Sequence, residues 1–422
     1  MKARITIIWM LALVPFSAAF SQHPITLSLS DAEQLFLRNN ASLIAQRFQV
    51  EQTKADIITA GLFDNPELSY ENLLYNHETR KFLETSQATG QYTASITQLF
   101  KLAGKRNKDI QVAETASKME SIVYADLMRT LKFELRSTFY QAYYAERNLA
   151  MYDQLISSLK QLLAASEQQL KLGNIAAKDV IRIKSRLYSL QLEHVNNQND
   201  LEVHKGRLKL LTGLAATEDI RLGGQSIDAS RLDIQNIPFP VLLDSAKTNR
   251  TDLYLAKTGL AYAQNILAVQ KAKAVPDVAI SLNYDLKGNY PEKYTGIGIS
   301  VPLPLFNRNQ GEIKKARISI DAATAEVHRK EAEVASELFT SYQSALKIEG
   351  LFGQMDEQFS GNFEQLMTGV LRNYKERNIS LLEFLDFYDS YKESTTQLNE
   401  IQNQLMTARE DLNYQTGTNI FK

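Results

Sequence analysis

The 422-residue sequence has no cysteine, which excludes disulfides, thiolate metal sites and a lipid-bearing N-terminal cysteine. Helix breakers are scarce, with 18 glycines and 9 prolines, so long helices are the first expectation. The five histidines (His23, His77, His194, His204, His328) are too scattered for metal-ligand spacing, and no nucleophile motif or glycine-rich phosphate loop occurs. An enzyme, a bound metal and a cofactor are therefore unsupported. Neither sign of charge dominates, with 47 basic against 48 acidic residues, which gives no reason to expect nucleic acid as a partner. After the N-terminal region no apolar run approaches the roughly 20 residues a membrane-spanning helix needs.

The N-terminal region itself carries Lys2 and Arg4, the apolar run from Ile5 to Phe16 and the small-residue stretch Ala19-Phe20-Ser21. That is the layout of a secretory signal over residues 1–21, with a mature chain from Gln22 that has left the cytoplasm.

A different pattern occurs at PDVAISLNYD, residues 276–285. Val278, Ile280, Leu282 and Tyr284 alternate with Ala279, Ser281, Asn283 and Asp285, as in a strand with one apolar and one polar face. Strands are predicted at 66–75, 91–100, 276–286 and 294–303. Such a strand suits a wall between lipid and water; a soluble sheet covered on its apolar face by helices has the same periodicity. In lipid four strands would leave unpaired edges, so several chains would have to pool them into one barrel.

The chain is also written twice. Asn39–Leu43 (NNASL) matches Asn249–Leu253 (NRTDL), and Pro66 matches Pro276, both at an offset of 210. Gln98–Phe100 matches Pro304–Phe306 at 206; Asn174-Ile175 matches Asn378-Ile379, and Thr212-Gly213 matches Thr416-Gly417, both at 204. Each copy predicts one helix (about 31–63 and 241–274), a strand pair, a very long helix, a short turn and a return helix. The 68 residues 105–172 contain neither Gly nor Pro, which makes a rod of about 100 Å. Gly350, Gly353, Gly361 and Gly369 predict bends in the matching second rod. The second return helix shows a 3-4 spaced seam from Phe384 and Phe387 through Tyr391, Leu398 and Leu405 to Leu412. His194 and His204 fall on the equivalent seam of the first copy and are predicted as packing residues. The expected organisation is a signal at 1–21, a first repeat at 22–213 with its hairpin at 66–100, a connector at 214–240, a second repeat at 241–417 with its hairpin at 276–306, and a tail at 418–422.

The duplicated plan, the stretches DNPELSYE and PDVAISLNYD after a helix, the run ISVPLPLFNRNQGEIKKA before the second rod and the paired Asn-Ile turns resemble the TolC-like outer-membrane efflux family. PLPLFNRNQGEI is most similar to its cobalt-zinc-cadmium (CzcC-like) branch. The resemblance implies a mainly α fold with a small β part. In it a homotrimer pools four strands per chain into a 12-stranded transmembrane β-barrel, above a coiled-coil helical tunnel in the periplasm. It implies an outer-membrane location and partners in outer-membrane lipid, a periplasmic adaptor protein and a proton-driven inner-membrane pump. The expected function is the outer-membrane channel of a tripartite efflux system for heavy-metal cations or small toxic compounds. A channel for type I protein secretion shares this architecture, and a periplasmic coiled-coil scaffold without a pore is the alternative of another class.

The same resemblance places a periplasmic gate at Glu383 and Asp386, whose spacing of three puts both on one helix face, with Tyr374 on the preceding helix. The family's closing Arg is replaced by Ile379, and the nearby Arg is Arg377. Gly173, Asn174, Ile175, Asn378 and Ile379 are the expected adaptor-docking turns, together with Arg377. At offset 204 the first copy has Asp179 and Arg182, so only one copy supplies an all-acidic pair.

Overall fold

The computed structural model describes residues 25–223, 234–288, 291–354, 366 and 369–421. The signal expected at 1–21 and Gly361 lie outside these residues, as does part of the expected connector. The chain opens with β1 (Ile25–Leu27), α1 (Leu29–Asn39) and α2 (Ala41–Gly61), then β2 (Glu67–Asn72), a small hairpin of β3 (Tyr75–Asn76) and β4 (Lys81–Phe82), and β5 (Tyr92–Phe100). The first rod α3 (Lys105–Lys171) and its return helix α4 (Ala177–Thr212) complete the first copy. After β6 (Ile220–Leu222) the plan repeats as α5 (Phe239–Asn249), α6 (Thr251–Lys273), β7 (Val278–Asp285), β8 (Tyr294–Ser300), the rod α7 (Gln310–Phe352), a helical segment α8 at 369–375, and α9 (Leu381–Thr416).

The single helices expected at 31–63 and 241–274 are each two helices, broken at Asn40 and Arg250, whose backbones turn extended (ψ 116° and 123°). The breaks fall at equivalent positions and are held from the side. Asn40 caps α2 by accepting from the Leu43 amide at 3.0 Å and donates to the Leu211 carbonyl at 3.0 Å. Arg250, 3% exposed, donates to Asp252, Glu337 and Gln415 at 2.6–3.0 Å. Each break receives the end of the same copy's return helix. A Cβ on Gly213 would lie 2.9 Å from the Asn39 carbonyl oxygen, and one on Gly417 would lie 2.8 Å from that of Asn249. Repetition thus extends to this backbone-on-backbone packing. β1 and β6 pair in parallel at the same level, Ile25 opposite Ile220.

With 67 uninterrupted residues, α3 is about 100 Å long. Both rods start after a left-handed residue, Gly104 (φ 65°) and Asn309 (φ 59°), an offset of 205. The QLF/PLF match is therefore one residue out of structural register, because residues 301–306, with two prolines, leave the strand before Phe100 leaves β5. Of the bends expected in the second rod, Gly350 lies inside α7 and Gly353 ends it.

The four strands form one antiparallel sheet ordered β2-β5-β7-β8. Its register aligns Leu68, Ile96, Leu282 and Ile297 in one row across the sheet, and Ser69, Ser95, Asn283 and Gly296 in a neighbouring row on the opposite face. Among the described residues no helix covers the apolar row, whose members are 74%, 45%, 54% and 76% exposed. Of the two readings open to the strand periodicity, the sheet buried under its own rods is set aside.

Candidate functional site: the paired turns at the helical tip

Both rods end in the same turn. Amide hydrogen bonds from Gly173 to the Leu170 carbonyl (2.9 Å) and from Asn174 to that of Gln169 (2.9 Å) close the first; those from Arg377 to Tyr374 (3.0 Å) and from Asn378 to Asn373 (2.8 Å) close the second. This double closure is a Schellman motif, which requires a left-handed residue after the helix. Gly173 meets that requirement at φ 76°; in the second turn Arg377 occupies the equivalent position at φ 63°. Asn174 donates its amide to the Gln169 side chain at 2.8 Å, and Asn378 donates to Glu376 at 3.2 Å. Ile175 and Ile379 enter the space between the turns, a cavity of about 450 Å³ also lined by Leu162, Ser166, Gln169 and Tyr374.

α9 starts with a capping box: the Glu383 amide donates to Ser380 Oγ at 3.2 Å, and the Ser380 amide and hydroxyl both donate to Glu383 Oε2 at 2.8 Å. The Ser380 amide, then its hydroxyl, hold the Glu383 carboxyl below the usual carboxylate range. Glu383 is thus exposed but locally engaged, while Asp386 is exposed one turn on. α4 begins at the equivalent Ala176 with no side-chain cap.

Tyr374 packs tilted against Phe384 at 5.1 Å between ring centres, and burial, then the Asp179 carboxylate, push its phenol up. The seam behind the acids differs from the expected one. Leu381, Phe384, Leu385, Tyr388 and Tyr391 are buried, whereas Phe387 is 40% exposed. The strict 3-4 spacing assumes one facing helix, but α9 packs on both α3 and α7, so the buried face is broader. On α4 the equivalent leucines and isoleucine are buried as expected, and His194 faces Asp153 across α3 at 3.0 Å. Among the described residues no cluster of His, Asp or Glu could hold a metal ion.

The ties across the tip lie a turn beyond where the sequence directs attention. Arg186 on α4 pairs with Asp389 on α9, Lys392 pairs with Glu193 at 2.8 Å, and the buried Tyr388 hydroxyl donates to the Leu155 carbonyl. Opposite charges at 186/389 and 193/392 are visible in the sequence, but their pairing depends on which helices neighbour one another.

Residues 33–214 match the family described as outer membrane efflux protein. Among solved structures, a membrane protein from Pseudomonas aeruginosa superposes with a TM-score of 0.73 at 15% identity, covering 92% of both chains. The chain has the TolC-like outer-membrane efflux fold. The Campylobacter jejuni CmeC outer membrane channel shares this TolC-like fold at a TM-score of 0.71 and 15% identity, covering 93% of this chain and 86% of that one. In sequence, the cobalt-zinc-cadmium resistance protein CzcC of Cupriavidus metallidurans is 24% identical over 300 residues, 71% of this chain and 68% of that protein. No helix among the described residues is long and apolar enough to cross a membrane.

Proposed function

We propose that this chain is the outer-membrane channel of a tripartite efflux system, acting as a homotrimer whose sheets close one barrel above a helical tunnel. The observation that carries this reading is the uncovered apolar face of the sheet. Leaving the Leu68-to-Ile297 row in water would forgo roughly 1.5–3 kcal/mol per large side chain, which lipid recovers. Aromatic rings edge the same face. Tyr92 lies 6.0 Å from Tyr70 and 5.7 Å from Tyr284 at one end, and Phe100 marks the other. From Tyr92 to Phe100 is about 27 Å of strand, and at a tilt of about 40° that spans roughly 20 Å, close to the ~25 Å apolar band of outer-membrane barrels. The opposite face, with Glu67, Glu71, Asn283 and Asp285, lines water.

In this reading the turns at Gly173–Ile175 and Arg377–Ile379 face the periplasm and receive an adaptor, which links them to a proton-driven inner-membrane pump. Glu383 and Asp386 form the gate, and three chains contribute six carboxylates to one constriction, which favours cations. Heavy-metal cations are the proposed cargo, supported by the likeness to a cobalt-zinc-cadmium resistance protein. A channel of this kind performs no chemistry of its own. Deleting the gene and comparing growth across zinc, cobalt, cadmium, dyes and detergents tests the cargo: sensitivity confined to the metals is expected, and sensitivity confined to dyes and detergents contradicts it. Replacing Glu383→Gln and Asp386→Asn together should raise single-channel conductance and weaken cation selectivity in planar bilayers. Unchanged conductance and selectivity would remove the gate from these residues.

A further inference from the structure

Resting on the channel reading above, the apolar face of the sheet meets lipid, yet that face is not a smooth wall. Tyr70, Ala94 and Tyr284 stand in one row across β2, β5 and β7. The short Ala94 side chain leaves a gap between the two tyrosines, and the Tyr92 ring stands over its loop end. Toward the rods the gap continues as a groove of about 300 Å³ lined by Leu68, Ala94, Ile96, Leu282, Tyr284 and Thr295. A second hollow of about 280 Å³ shares Ile96 and Leu282 with the first and extends it to Pro66 and Phe100. From Ala94 to Phe100 is about 20 Å of strand. At a tilt of about 40° that is roughly 15 Å of depth, enough for one acyl chain of a leaflet in a ~30 Å hydrocarbon core. All of these residues belong to one chain, and the groove runs along β5 and β7, the inner strands of its sheet.

The mouth of the groove is polar and cationic. Thr295 lines it, and Lys293, two residues earlier, turns through the left-handed region (φ 57°) within electrostatic reach of the Tyr92 phenol. Among the described residues no carboxylate pairs with Lys293, whereas Lys287 in the same connection is paired with Glu292 at 3.5 Å. The Tyr92 and Tyr284 rings pack side by side, and two hydroxyls that bond each other leave one proton to donate to a ligand. An unpaired ammonium beside a phenol donor, at the wet end of an apolar groove, complements an anionic headgroup.

We propose that this groove binds a phosphate-bearing lipid, with the phosphate at Lys293 and the Tyr92–Tyr284 pair and one acyl chain laid over Ala94 toward Phe100. Bulk lipid would fill the groove with any chain; the unpaired cation is what selects the phosphate.

Native mass spectrometry of the protein in detergent tests this. Delipidated protein is given dioleoyl phosphatidylglycerol or dioleoylglycerol, which carries the same chains without the phosphate. The unaltered protein should retain phosphatidylglycerol at severalfold higher occupancy. Lys293→Gln should abolish that preference, whereas Lys287→Gln, whose lysine is already paired, should keep it. Ala94→Phe, which fills the groove, should lower retention of both lipids. Lys293 stands on an exposed turn, so its variant decides the matter where Ala94→Phe does not assemble. A trimeric mass with equal retention of the two lipids, or with a preference that survives Lys293→Gln or falls equally with Lys287→Gln, overturns the lipid site and leaves the channel reading intact. A water-soluble monomeric mass overturns both.

Discussion

At the scale of single residues, the same left-handed backbone is demanded at positions of very different crowding. Gly173 and Gly213 both sit in the left-handed region, at φ 76° and 70°, but nothing lies within 4 Å of a Cβ on Gly173, whereas one on Gly213 would meet Asn39 Cβ at 2.7 Å. Gly173→Ala should therefore cost only the conformational term, about 1 kcal/mol. Gly213→Ala should add about 1–3 kcal/mol of overpacking, and urea midpoints of the two variants in detergent should separate accordingly. The cap of α9 gives a pH-dependent prediction. Because the Glu383 carboxyl is lowered in the fold, its stabilisation is complete above the ordinary carboxylate range and is lost as pH falls through the lowered value. Hydrogen exchange of the first α9 turn, corrected for intrinsic rate, should stay level from pH 7 down to the ordinary carboxylate range and accelerate only below it. Ser380→Ala should raise that exchange at pH 7, consistent with a cap of ~1 kcal/mol, and flatten its acid dependence. Glu383 was legible as a tip acid from the family resemblance. Its engagement by Ser380 was present as the Ser-x-x-Glu spacing, and so was Arg377 at the residue that needs a left-handed backbone, but charge draws attention away from both.

At the scale of elements, periodicity made the strands and rods legible, because alternation and the long Gly- and Pro-free run leave few other structures open. The breaks in the short helices were not legible. Asn40 and Arg250 interrupt no hydrophobic pattern, and what stabilises each kink comes from distant elements: the Leu211 carbonyl in one copy, Glu337 and Gln415 in the other. Arg250 therefore holds α5, α6, α7 and α9 together at one point, and burial beside three partners makes its loss expensive. Arg250→Ala should destabilise by roughly 1.5–3 kcal/mol, because it removes the charge-assisted bonds of a buried guanidinium to the partly exposed Asp252, Glu337 and Gln415. An exposed control, Arg329→Ala, removes i,i+3 and i,i+4 pairs with Glu326 and Glu333 on the surface of α7 and should shift the same urea midpoint far less. Comparable losses from both variants would refute the proposed role of the kink.

At the scale of the molecule, the sheet is unfinished by itself among the described residues: one face is apolar and uncovered, and two edges are open. Water satisfies none of these together, whereas a lipid-embedded ring of identical chains satisfies all of them. On the proposed trimeric reading, the duplication visible in the sequence means that three chains supply six near-equivalent sectors. Planar lipid bilayers test this most directly. The purified mature chain, added in detergent as a particle of trimeric mass, should insert to give discrete, long-lived steps of ion current. A water-soluble monomer that leaves the bilayer electrically silent would contradict the account.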